Sequence, residues 1–95
     1  MDIDCVEFCK ALADETRQQI LVMLLEREMS VSEIVEAFSV SQPTISHHLN
    51  TLKQFRLVTS RRDGKQVFYA TNRDNVIECC GQLIAKFDAE EVCEA

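Results

Sequence analysis

The sequence predicts a mainly α-helical fold with one β-hairpin, a small α+β domain in the order α-α-α-α-β-β-α. Three observations carry this. Apolar residues recur at i, i+3, i+4 spacing along most of the 95 residues, the period of amphipathic helices. Two glycines and one proline leave little material for the many turns of a sheet-rich chain. A lone Asp63-Gly64 dipeptide separates "LVTSRR" from "KQVFYAT", the strongest short signal for a hairpin. The length suits one domain over 1–95, too short for two separate cores.

The elements follow in order. Cys5, Phe8, Cys9 and Leu12 form the buried stripe of a first helix. In "DETRQQILVMLLERE", Asp14 suits an N-cap, and Ile20, Leu21, Leu24 and Leu25 make a core face. "SVSEIVEAF" places Ser30 and Glu33 at capping-box spacing before Ile34, Val35 and Phe38. Ser41 then caps a fourth helix, with Pro43 in the first turn, where a missing N–H does no harm. The hairpin occupies about 57–71. A last helix over about 73–90 carries Val76, Ile77, Cys80, Leu83, Ile84 and Phe87 before an acidic tail.

Composition narrows the function. No apolar run reaches transmembrane length, and Asp2 and Asp4 stand where a signal peptide carries positive charge. A cytoplasmic protein without membrane association is expected. An odd count of five cysteines argues against a disulfide scaffold. The net charge of −6 speaks against nucleic acid only until its distribution is read. Residues 41–73 hold six basic side chains and one acid, a balance of +5, whereas the rest holds four basic and fifteen acidic ones, −11.

That basic segment contains the two histidines, His47 and His48. On a helical wheel, Ile45, Leu49 and Leu52 share the packed face, and Pro43, His47, Asn50 and Gln54 lie opposite. His48 leans towards the core. The two rings diverge by about 100°, a poor bite for one metal ion. No acid lies between Ser39 and Arg62 to support a catalytic histidine. The bland alternative is a solvated His47 beside a partly packed His48. A polar helix N-terminus followed by a basic hairpin suits DNA better: Gln42, Thr44, Ser46 and His47 can reach base edges or phosphates. The short helix from Ser32 and the tight link Ser39–Ser41 complete a helix-turn-helix over about 32–55. Arg61, Arg62 and Lys65 make the hairpin a wing along the DNA backbone.

These features resemble the ArsR/SmtB family of metal-responsive winged-helix repressors, through "CKALADETRQQIL", "SQPTISHHLNTLKQFRLV" and "RRDGKQVFYA". The resemblance covers about Phe8 to Thr71. It implies a recognition helix on Ser41–Gln54, with Ser41, Gln42, Thr44, Ser46 and His47 towards DNA and His48 beside them. It implies a wing on Arg62–Lys65, and a homodimer through the first and last helices that binds an inverted-repeat operator. Two departures stand out. The family's Cys-x-Cys positions are Ser30 and Ser32 here, and its zinc site on the last helix has only Asp74 and Glu78, with no histidine beyond His48.

The effector therefore turns on the cysteines. Packing accounts for Cys9 and Cys80 as small buried hydrophobes. It accounts poorly for Cys79 and Cys93, which the wheel and the flanking acids place at less buried positions. Adjacent cysteines on the last helix also resemble the relocated arsenic sites of some family members. A thiol-only site on Cys79 and Cys80, completed by Cys93 or by Cys5 or Cys9, would suit As(III) best, and also Sb(III), Cd(II), Pb(II) or Hg(II). Redox or persulfide sensing by the same thiols is the alternative. A thiol-metal buffer or a cysteine enzyme leaves the basic hairpin without a purpose.

Overall fold

Each helix begins at a side chain that can accept a backbone N–H. In the computed structural model, which describes residues 4–88, Asp4 caps α1 (Cys5–Leu12) and Asp14 caps α2 (Glu15–Glu26). Ser30 and Glu33 form a reciprocal capping box on α3 (Val31–Ala37). Ser41 caps α4 (Gln42–Gln54), and Asn72 caps α5 (Arg73–Phe87). Losing such a cap typically costs about 1 kcal/mol.

The sheet holds one strand more than expected. β2 (Val58–Asp63) and β3 (Gln66–Thr71) form the hairpin, and the two-residue β1 (Met29–Ser30) pairs with the far side of β3. The order is β1-β3-β2, antiparallel throughout. Two residues have no periodicity of their own, so β1 exists only because β3 offers an edge. The turn is also shifted by one residue. Asp63 pairs with Gln66, leaving Gly64 and Lys65 as the loop. Gly64 takes φ +64° and Lys65 does not share the positive φ, the signs of a type II′ turn with glycine first.

The core lies where α1, α2, α3 and α4 meet the base of the sheet: Phe8, Ile20, Ile34, Ile45, Leu52 and Leu57 are fully buried. Leu25, expected in that core, is exposed, because Ile20, Leu21 and Leu24 already fill the inward face of α2. Ile77, Ile84 and Phe87 of α5 are exposed as well. The sequence expectation for the last helix extended to about residue 90, beyond the described residues. No helix among them is long and apolar enough to cross a membrane.

The end of α4 departs from the simple pattern. Arg56 N–H donates to Lys53 O (2.9 Å) and Leu57 N–H to Leu52 O (3.1 Å), the paired bonds of a Schellman motif. The motif needs a left-handed residue, and Arg56 supplies it at φ 57° without being glycine. The side chains of Leu52 and Leu57 are buried at this end.

Candidate nucleic-acid interface

Ile45, Leu49 and Leu52 bury one face of α4, with Ile34 of α3 in the same core. Their spacing turns the polar residues outward: Ser41, Gln42, Thr44 and His47 are exposed, and Ser46 is half-buried. The Ser41 and Thr44 hydroxyls lie 3.0 Å apart, so they present one joined polar patch at the helix start. The helix N-terminus carries a partial positive charge, and no acid lies in the first turn of α4.

The two histidines separate as the wheel requires. His47 is exposed, and its ring centroid lies 6.0 Å from that of His48. His48 is half-buried, with Nδ1 3.2 Å from an Arg17 guanidinium nitrogen. Arginine can only donate, so His48 Nδ1 accepts and the ring is neutral. Burial pushes the His48 pKa down, Asp14 opposes this, and the charges of Arg17 and His47 push it further down. Arg17 is itself held by Ala11 O (2.6 Å) and Lys10 O (3.1 Å). One His48 nitrogen is thus occupied in seating α4 on the corner between α1 and α2. Arg17 was not singled out in the sequence, since its partner lies 31 positions away.

On the wing, Arg62 and Lys65 are exposed, and among the described residues neither has an ion pair. Arg61 differs. Its Nε donates to both carboxylate oxygens of Glu28 (2.9 and 3.0 Å), and a second guanidinium nitrogen donates to Glu28 as well. The guanidinium carbon stands 4.8 Å from the centre of the Phe68 ring. The Arg61 hydrogen bond holds the Glu28 carboxyl below its usual range. The sequence grouped Arg61 with Arg62 and Lys65, and the structure separates it from them. Glu28 gave no signal by spacing.

Cys5 is buried as its helical stripe predicts, but Cys9, Cys79 and Cys80 depart from their expected burial. Cys79 and Cys5 are buried, Cys80 is half-buried and Cys9 is exposed. Adjacent helix residues diverge, and α5 turns Cys79, not Cys80, towards α1. Burial pushes the Cys79 thiol up, with Cys80, Glu78 and Cys5 adding to it. Cys93 lies outside the described residues. No group of three or more His, Cys, Asp or Glu among the described residues is arranged to hold a metal ion. Cys5 and Cys9 line an open groove of about 450 Å³ between α1 and α5, together with Val6, Leu83 and Phe87.

Asn75 joins this region to α4. Its side-chain amide donates to Phe55 O (2.5 Å) and Arg56 O (3.1 Å), and lies 3.9 Å from Cys79 Sγ. Those carbonyls belong to the C-terminal turn of α4, whose own partners have run out.

Comparison with known proteins places this geometry. The family model for bacterial regulatory proteins of the arsR family matches residues 14–60. The HTH-type transcriptional regulator KmtR of Mycobacterium tuberculosis is 42% identical over 85 residues, 90% of this chain and 64% of that one. The arsenical resistance operon repressor of Staphylococcus aureus is 39% identical over 72 residues, 73% of this chain and 69% of that one. The crystal structure of NolR from Sinorhizobium fredii superposes with a TM-score of 0.71 at 32% identity, covering 88% of this chain and 84% of the other.

Proposed function

The chain belongs to the ArsR family of bacterial regulatory proteins, DNA-binding regulators and not enzymes, and from that premise we propose a cytoplasmic, homodimeric transcriptional repressor. It binds an inverted-repeat operator and releases it when a thiophilic metal(loid) ion, As(III) foremost, reaches its cysteines. The winged helix-turn-helix fold supplies the DNA-binding part, in one domain over 1–95. The observation that carries the reading is the outward polar face of α4 beside a wing with two cations, Arg62 and Lys65, that have no ion pair among the described residues. Gln42, Thr44, Ser46 and His47 are assigned to the groove, Ser41 and His48 to holding the helix there. Arg62 and Lys65 are assigned to phosphates.

Val6, Ile77, Ile84 and Phe87 support the homodimer. They are large apolar side chains exposed on α1 and α5, beside the apolar groove, and such a patch calls for cover. A two-fold axis there would present two recognition helices about one duplex turn apart.

For the effector, the donors have the right chemistry: Cys5 and Cys79 offer soft sulfur where α1 meets α5, and Cys80 stands next to Cys79 on the side of α5. A third or fourth thiol would come from Cys93, from Cys9 or from the second protomer. Cys79 must lose the proton that burial helps it keep, so effector binding should strengthen as pH rises. Asn75 gives the thiols a route to DNA, since it bridges Cys79 Sγ and the last carbonyls of α4. Sb(III), Cd(II) and Pb(II) are further candidates on the same chemistry.

A second reading has an observation of its own. Cys5 and Cys79 are a buried pair on facing helices, not a trio. Two thiols suit a redox or persulfide sensor, in which a peroxide-class oxidant takes two electrons and two protons and leaves a disulfide.

A fluorescent duplex selected from a randomised pool by the wild-type protein separates these readings. Arsenite should release it in reducing buffer, and Cys79→Ser/Cys80→Ser should abolish the release. If the double variant releases DNA at the wild-type arsenite concentration, the metalloid site is wrong. Release by polysulfide or peroxide alone supports the second reading. His47→Ala should cost about 1–3 kcal/mol on the selected duplex and far less on random DNA if it reads a base.

A further inference from the structure

We propose that Arg61 is a positioning residue of the wing, which it straps to the start of the helix-turn-helix through Glu28, and that it does not contact DNA phosphate. The inference rests on the DNA-binding reading above and deepens it.

Strand register makes the case. Arg61 of β2 lies opposite Phe68 of β3, and Phe68 lies opposite Ser30 of β1. Directly opposed residues share a face of the sheet. The Arg61 side chain therefore runs from the outer strand of the wing across the Phe68 ring to Glu28, two residues before Ser30. Ser30 is the N-cap of α3. One side chain thus reaches from β2 past β3 to the residue just before β1, close to where the helix-turn-helix begins.

Arg61 and Glu28 side chains are 52% and 39% exposed, so the pair adds little to stability. Its effect is geometric. A planar guanidinium gripping both carboxylate oxygens fixes distance and angle together, while Asp63 stands 3.8 Å from another guanidinium nitrogen. To reach a phosphate, Arg61 would exchange one anion for another and leave a bare carboxylate facing the DNA backbone. Arg62 lies opposite Val67, on the other face of β2, and Lys65 sits in the turn. They need no such exchange.

The salt dependence of binding distinguishes positioning from contact, because each phosphate neutralised contributes about 0.9 to the slope of log K against log salt. With the selected duplex, Arg61→Gln and Glu28→Gln should each weaken binding by a similar factor, roughly three- to tenfold. The slope should stay at its wild-type value, and the double variant should be no weaker than either single one. The charge swap Glu28→Arg/Arg61→Glu should recover most of the loss. Lys65→Ala should lower the slope. A fall of about 0.9 in the slope for Arg61→Gln, or tighter binding by Glu28→Gln, would overturn the proposal and make Glu28 a mask over a phosphate contact. A wild-type protein that selects no duplex overturns the DNA-binding reading, and this inference with it.

Discussion

The two ends of α4 are held in opposite ways. At its start, the Ser41 and Thr44 hydroxyls bond to each other, Ser41 Oγ also accepts from the Thr44 N–H, and Gln42 and His47 are open to solvent. At its end, a Schellman turn closes the backbone, the side chains of Leu52 and Leu57 are buried, and Asn75 reaches in from α5 to take two carbonyls. The helix is gripped at one end and presented at the other. Such a lever can be re-aimed from its held end without altering a single side chain at the presenting end.

Removing the grip should have the largest effect. Asn75→Ala removes the donor to the carbonyls of Phe55 and Arg56, at a cost of about 0.5–1.5 kcal/mol per bond. Denaturant unfolding should register that loss, and DNA affinity should fall with it while sequence preference is kept. A changed preference would mean that the two ends do not divide the work. A smaller effect, of opposite sign, is expected within the grip itself. Arg56 holds φ 57°, which costs a non-glycine residue about 1–2 kcal/mol. Glycine's extra chain entropy takes back about 0.5–1 kcal/mol, so Arg56→Gly should stabilise by roughly 0.5–1 kcal/mol. Loss of stability instead would show that the arginine side chain contributes more than its backbone costs.

The smallest effect concerns the middle of the helix, where His48 meets Arg17. The folded His48 pKa lies below its ordinary 6.5, so below that value the unfolded chain binds more protons than the folded one. Stability from this group is complete above pH 6.5 and is lost as pH falls through 6.5 towards the folded value. Thermal unfolding at pH 7.0 and 5.5 should show a smaller drop for His48→Gln than for wild type. Equal drops would remove His48 from the account.

Much of this architecture was legible in residue order. The caps Asp14, Ser30 and Ser41 are local devices, each complete within four residues, and the stripe of Ile45, Leu49 and Leu52 shows which way His47 points. What escaped is long-range. Glu28 meets Arg61 across 33 positions, and Asn75 meets Phe55 across 20; neither distance leaves a trace in periodicity. The cysteines show a subtler limit. A wheel placed Cys80 in the apolar stripe of α5 and Cys79 at its edge, yet Ile77, Ile84 and Phe87 of that helix are exposed. An apolar face that is not the core-facing one misdirects the wheel, and Cys79 is the residue that packs inward.

Ser30 is one residue with several obligations. It lies opposite Phe68 in the sheet, its hydroxyl caps α3, and its own N–H donates to Glu33 at 2.9 Å. Two residues earlier stands Glu28, the anchor of the wing. The junction from α2 to α3 therefore has no spare length. One residue inserted between Glu28 and Ser30 would have to abandon either the strap or the cap, since a strand that slips by one turns every side chain to the opposite face. Most connections on a protein surface tolerate insertion and deletion; an insertion here should instead weaken either the cap or the strap. Its length is as much a part of the design as the residues that fill it.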